Sequence, residues 1–357
     1  MASLREWLAL PKVDPAEDYG FFGPGSVAWR VWSYPTGLTI GFQRAVVIEE
    51  LDPALVASVD ETHAIYDRPR TRYDRTLRYF AMVMFADSRS TAKVADILVK
   101  IHSKAVGIDP VTGKQYDAND PRSQLWIHLT AWHSILVAYE RYGPGRLSAA
   151  DEEKYWAECA RAAELQTCDP ADVPRTREGV RQYFEEMRPH LIGSDIAKKA
   201  MRHLLRADVM LPPMPLPVRP FFKIVAAFLR RGTLATMPRW MRDMAGLPTN
   251  RLLDLLVTPL LSAAYTLVGF SVRLELILLR LISPMTVPVA APVLLKVPPV
   301  RPVTMTPRQA QELYGYDIPS QAHLELRDKQ RTRVLGSGLS PSDEGIIESQ
   351  PMLGRIA

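Results

Sequence analysis

The side chains best suited to chemistry lie between Arg72 and His128. SRSTAKVADILVKIHSKAVG, from Ser88, places Val94, Leu98, His102 and Val106 four residues apart, with Ile97, Ile101 and Ala105 beside them. At helical spacing an imidazole therefore interrupts an apolar stripe. Such a group is either a core histidine hydrogen-bonded to a neighbour or a haem or metal ligand, because neutral imidazole is the commonest protein ligand for metals. Upstream, RYDRTLRYFAMVMFAD carries Arg72, Arg75 and Thr76 on one face at the end of an apolar helix. They form a solvated face or a cluster aimed at carboxylates or a reduced oxygen species, since a guanidinium stays charged and offers five donors. Downstream, Leu125, His128, Leu129, Trp132, Leu136 and Tyr139 make a second stripe containing a histidine. His128 is read as an axial ligand, a group behind the ligand, or a structural donor. Two successive antiparallel helices can turn such histidines towards one pocket.

The elements that must position these groups are helices. Asp52 before Pro53 and Asp120 before Pro121 read as N-caps followed by proline in the first turn. Ser148, Thr176 and Ser194 read as further N-caps. Gly107 reads as the C-cap of the His102 helix, followed by a turn-rich loop, GIDPVTGKQYDAND, and Gly143 with Pro144 stops the His128 helix. Strands are scarce, so an all-α bundle is expected. After a proline-rich crossing from Leu211, two or three apolar helices run from Phe221 to Ile282, broken at Pro238, Pro248 and Pro259. Leu255 to Val272 carries no charge, but Pro259, Ser262, Thr266 and Gly269 interrupt it and Arg273, Glu275 and Arg280 follow, which favours buried or interfacial helices over a membrane span. The expected organisation is a leader at 1–19, a helical domain at 20–283, a proline-rich extended arm with one short helix at 284–327, and a mobile tail at 328–357.

With 47% hydrophobic and 23% charged residues, the 357-residue chain has the composition of a folded protein. Its net charge of +5 arises from 44 basic and 39 acidic side chains without a long basic run, which argues against nucleic-acid binding. Cys159 and Cys168 suggest neither a disulfide framework nor a zinc site. The first twenty residues lack the apolar core of a secretion signal. A cytoplasmic protein is expected, with peripheral contact to an anionic membrane compatible with its basicity. GPG near Gly23 is not a phosphate loop, because no strand precedes it and no GK[ST] follows.

GPGSVAWRV, RYDRT, VKIHSKAVG, GKQYDANDP, LWIHLTAWHSILVAYERYG and LATMPRWMRDMAGL occur in that order between about residue 20 and about residue 250. Together they resemble the family of bacterial latex-clearing rubber oxygenases and MpaB-type oxygenases. The resemblance implies a haem b protein with a globin-like multi-helix bundle, in which His102 is the proximal iron ligand and Arg72, Arg75 and Thr76 match the RxxKT pattern of rubber oxygenases. Arg75 stands where those enzymes have lysine, and a guanidinium that keeps its proton is a poor iron ligand. Glu49, Glu50 and Glu61 lie in the region of the family's acidic base, and none of them matches its position. The implied activity is oxygenation of a hydrophobic or lipid-like substrate with O2. Arg72 and Arg75 would share two tasks, stabilising charge that develops on oxygen and holding a haem propionate. Thr76 would donate or relay a hydrogen bond, and His128 stands as a candidate cofactor-binding residue. The alternative is a non-enzymatic helical protein, either a haem-binding sensor or a membrane-surface interaction module.

Overall fold

The computed structural model describes residues 9–207, 211–212, 214–344 and 346. Its architecture is an all-α multi-helix bundle with one two-stranded antiparallel sheet. In order, α1 is Val27–Trp32, α2 Phe42–Glu49, α3 Pro53–Glu61, α4 Ala64–Asp67, α5 Pro69–Phe85 and α6 Ser88–His102. The hairpin β1 Val106–Ile108 and β2 Gln115–Asp117 follows, then α7 Pro121–Tyr142, α8 Ala149–Ala163, α9 Arg177–Met187 and α10 Asp195–Leu204. Beyond the crossing come α11 Arg219–Thr236, α12 Arg239–Met244, α13 Arg251–Gly269, α14 Val272–Ile282, α15 Val287–Leu294, α16 Pro307–Tyr314 and α17 Leu324–Arg331.

The capping residues account for most of the starts. Asp52, Asp120, Ser148, Thr176 and Ser194 each accept a hydrogen bond from a first-turn amide of α3, α7, α8, α9 and α10 respectively. At the centre, α7 lies against α2 and against a turn of π-helix at Gly37–Gly41. Gly41 is required in that turn, because a Cβ there would come within 2.9 Å of Ile135 Cα. Trp32, Trp126, Trp132 and Trp156 are fully buried around α7 and supply much of the core's apolar area.

Several expectations are corrected. The His102 helix ends at His102 with Ser103 as its C-cap, and Gly107 lies inside β1, where a Cβ would sit 2.7 Å from the Tyr116 hydroxyl oxygen. Val106 therefore belongs to a strand rather than to the helical stripe. The proline-rich arm is not extended throughout, because 287–294 form α15. Beyond it, Val300 and Arg301 donate backbone hydrogen bonds to Ala16 and Glu17, and Tyr19 donates to Val303, so the arm pairs with the expected leader. The start of the expected mobile tail is tied down. Arg331 pairs with Asp117, Lys104 with Asp343, and Gln330 Nε2 donates to Ser342 O at 2.7 Å. The rest of that tail, 345 and 347–357, lies outside the described residues, as do residues 1–8 of the leader.

Candidate active site

His102 occupies the last position of α6 and is fixed from both sides. At the start of the helix the Asp87 carboxylate accepts from Ser90 N at 2.8 Å, and buried Asp18 accepts from Ser88 N at 2.8 Å. At its end Asn119 Nδ2 donates to Val99 O at 3.0 Å, while Ala118 N donates to Ala105 O at 2.9 Å. The segment after the hairpin is thus stitched to the turn that carries the imidazole. Gln124, in the first turns of α7, donates from Nε2 to Ala118 O at 2.6 Å and lies 3.4 Å from His102 Nδ1.

The ring is half-buried, yet desolvation lowers its pKa to about 4, with a further lowering from Arg72 and an opposing effect from Asp117. Arg72 shows the same combination: its side chain is exposed by area, yet desolvation lowers its pKa. Both groups are drawn down by the protein packed around them. The imidazole is therefore neutral near pH 7.

Arg72 couples electrostatically to Glu49 and Glu50 at the end of α2. Desolvation raises Glu49 to about 7, against a hydrogen bond donated by Thr130 Oγ1 to Glu49 Oε1 at 3.1 Å. Glu50 is raised to about 8 by desolvation and then by the neighbouring Glu49 charge, and its buried Oε2 has no hydrogen-bond partner among the described residues. Glu61 instead accepts from the Tyr116 hydroxyl. The sequence placed three glutamates in this region, and packing singles out two.

Arg75, one turn beyond Arg72, is half-buried; desolvation and then Arg68 and Arg72 lower its pKa. Its Nη2 is buried without a hydrogen-bond partner among the described residues. Arg68, Arg72 and Arg75 therefore form a cationic wall in which the Arg75 Nη2 is an unused donor, suited to a carboxylate. Thr76 donates to the Arg72 carbonyl at 2.9 Å, a bond within its own helix. The helix bearing these residues is locked at Asp74, which accepts from Ser283 Oγ and from Met285 N at 3.3 Å.

His128 is placed elsewhere. It is 3% exposed, and its Nε2 bonds the Cys159 carbonyl at 2.8 Å. Burial lowers its pKa to about 4. That nitrogen ties α7 to α8, so the expected contact between His128 and a cofactor is withdrawn: the structure brings His102, Arg72 and Arg75 together and leaves His128 in the core. Gln124, Arg68 and Thr130 were not anticipated. The only signal for Gln124 and Thr130 in the sequence is their place among the polar residues of an otherwise apolar α7.

The residues present fit a haem in their chemistry: His102 is a neutral imidazole coupled to Arg72, and Arg75, one turn from Arg72, has a buried Nη2 without a hydrogen-bond partner among the described residues, a donor suited to a carboxylate. Among the described residues no group of three or more His, Cys, Asp or Glu is placed to hold a metal ion.

No curated protein and no solved structure matches the chain. Residues 29–270, more than half of it, match the family described as ER-bound oxygenase mpaB/B'/Rubber oxygenase, catalytic domain. That span runs from α1 to the end of α13 and takes in Glu49, Glu50, Arg72, Arg75 and His102, and the chain belongs to this oxygenase family.

Proposed function

We propose that the protein is a haem b-dependent oxygenase that uses O2 to attack a hydrophobic, unsaturated substrate, working in contact with a membrane surface. What carries this reading is the family match together with the cluster at the end of α6: a desolvated neutral imidazole coupled to Arg72, which also couples to the buried carboxyls of Glu49 and Glu50, with an unpaired Arg75 Nη2 one turn away.

Haem, when bound, would supply the iron and the redox steps that O2 activation needs. The chain's own residues do the rest. His102 would hold the iron from the end of a helix anchored at both ends. Arg72 and Arg75 would hold carboxylates of the cofactor and stabilise negative charge that develops on oxygen. Glu49, hydrogen-bonded by Thr130, removes a proton from the substrate, a task for which a pKa near 7 suits it. Glu50, more deeply desolvated, holds its own proton at neutral pH and keeps a second negative charge away from Glu49.

The test is reconstitution with haemin followed by measurement of O2 uptake with a chemical reductant, using squalene as a polyunsaturated probe. Uptake that depends on squalene and disappears in Glu49→Gln supports the oxygenase. A Soret band without substrate-dependent uptake supports a haem-binding sensor instead.

A further inference from the structure

The longest apolar helix of the second half faces outward. Along α13, Leu252, Leu255, Leu256, Leu260, Leu267 and the adjoining Phe270 are exposed, Leu255 by 70% and Phe270 by 85%. The neighbouring α11 adds Phe221, Ile224 and Phe228, spaced three and four residues apart and exposed on one stripe. A contiguous face of this kind marks an interaction site rather than ordinary surface.

Charge identifies the partner. Between residues 211 and 282 the chain carries nine basic side chains and three acidic ones, a surplus larger than the +5 of the whole protein. Asp254 is buried in ion pairs with Arg231 and Arg242, and burial pushes the Glu275 carboxyl up to about 7. Arg219, Lys223 and Arg230 on α11, Arg251 at the start of α13 and Arg273 just beyond its end are exposed on the same helices as the outward leucines or next to them in sequence. Apolar side chains ringed by cations match the acyl boundary and headgroups of an anionic bilayer.

The helix is long and apolar enough to cross a membrane, but its packing gives another orientation. One stripe is seated on the body along the whole length: Asp254 on Arg242 at 3.0 Å, Thr258 on Arg141 at 3.3 Å, Ser262 on the Arg141 carbonyl at 3.4 Å, and Tyr265 on Thr39 at 2.7 Å. A helix held to a polar body at four successive turns presents only its opposite side to lipid.

We propose that α11 and α13 dock in the plane of an anionic phospholipid bilayer, with α13 lying along the surface. This deepens the membrane contact in the proposed function and rests on that part of it alone, independent of haem. Tyr265, on the inward stripe of α13, bonds Thr39, and Tyr73, which follows Arg72 on α5, donates to the carbonyl of the adjacent Leu38. The docked helix thus stands one layer of side chains from the site helix, and the bilayer becomes the source of the apolar substrate.

The experiment is flotation of the full-length protein with vesicles of phosphatidylcholine mixed with phosphatidylglycerol and with vesicles of phosphatidylcholine alone, read by protein absorbance so that haem content does not enter. Binding to the anionic vesicles is expected. Leu252→Ser, Leu256→Ser and Leu260→Ser combined should weaken it by at least about ten-fold, and Lys223→Gln, Arg230→Gln and Arg251→Gln combined by about a hundred-fold. These side chains are exposed, and circular dichroism verifies that the variants stay folded. Nitroxide labels at Leu253→Cys, Leu260→Cys and Leu267→Cys should report equal, shallow depths. Absence of binding, equal binding to both vesicle types, binding that survives the leucine changes, or depths graded along the helix each overturns the proposal. So does a dimer that the leucine variant splits while wild-type protein ignores vesicles, because the face would then belong to a second copy.

Discussion

Gln124 Nε2 stands 2.6 Å from the Ala118 carbonyl and 3.4 Å from His102 Nδ1. The carbonyl fixes which end of the amide points that way, so the amide offers its second N–H to the ring. Nδ1 then accepts, and the proton of the neutral imidazole sits on Nε2. Ligation through Nε2 requires the other tautomer. Gln124→Leu removes the donor that opposes it and leaves Ala118 O without its partner. The variant is expected to lose about 1–3 kcal/mol of stability while haem affinity holds or rises. Haemin titration monitored at the Soret band checks this; a ten-fold fall in affinity, of the size that loss of a supporting hydrogen bond produces, contradicts it.

The guanidinium wall should matter to the cofactor more than to the fold. Arg72→Ala and Arg75→Ala are each expected to weaken haem binding by about ten-fold or more, the scale of a lost charge-assisted hydrogen bond. Thr76→Val is expected to leave haem binding unchanged, because its hydroxyl bonds the Arg72 carbonyl within the helix. Haem dissociation measured by transfer to an apo-globin acceptor separates the three.

Glu49 sets the acid limb of activity. Its carboxyl must be ionised to take a proton, so kcat/KM should rise through about pH 7 and level off above it. Thr130→Val removes the bond that lowers this pKa and should move the limb to higher pH. A profile unchanged in that variant would show that another group titrates.

Glu50 makes stability depend on pH with a definite sign. Its folded pKa, about 8, lies above the ordinary value of 4.5, so the folded state holds a proton that the unfolded chain releases. Stability contributed by the protonated carboxyl is present in full below the unfolded value and is lost as pH rises through about 8. Glu50→Gln lacks this slope. It should be more stable than wild type at alkaline pH by about 1–3 kcal/mol, with the gap closing towards pH 4.5, as urea denaturation at several pH values would show.

Much of the scaffold was legible in the sequence because its signals are local. Asp52 with Pro53 and Asp120 with Pro121 cap helices by contacts within one turn, and the structure has those caps. The end of the His102 helix was not legible. The β-hairpin there has strands of three residues, too short to show alternation, and Gly107 serves close packing by Tyr116 instead of capping a helix. The sequence left α13 open between a buried and an interfacial helix, because hydropathy does not distinguish a leucine facing a core from one facing outward. The carboxyl pair was the hardest to see. Glu49 owes its raised pKa to burial and Glu50 to burial and then to the Glu49 charge, and α7 brings Thr130 to Glu49 from far along the chain.

The central claim, that His102 binds haem iron, is tested most directly by the visible absorption spectrum of the haemin-titrated protein compared with that of His102→Ala. The account predicts a sharp Soret band that saturates at one haem per chain, is lost or broadened in His102→Ala, and is restored when imidazole is added to His102→Gly. A wild-type spectrum indistinguishable from that of His102→Ala would contradict it.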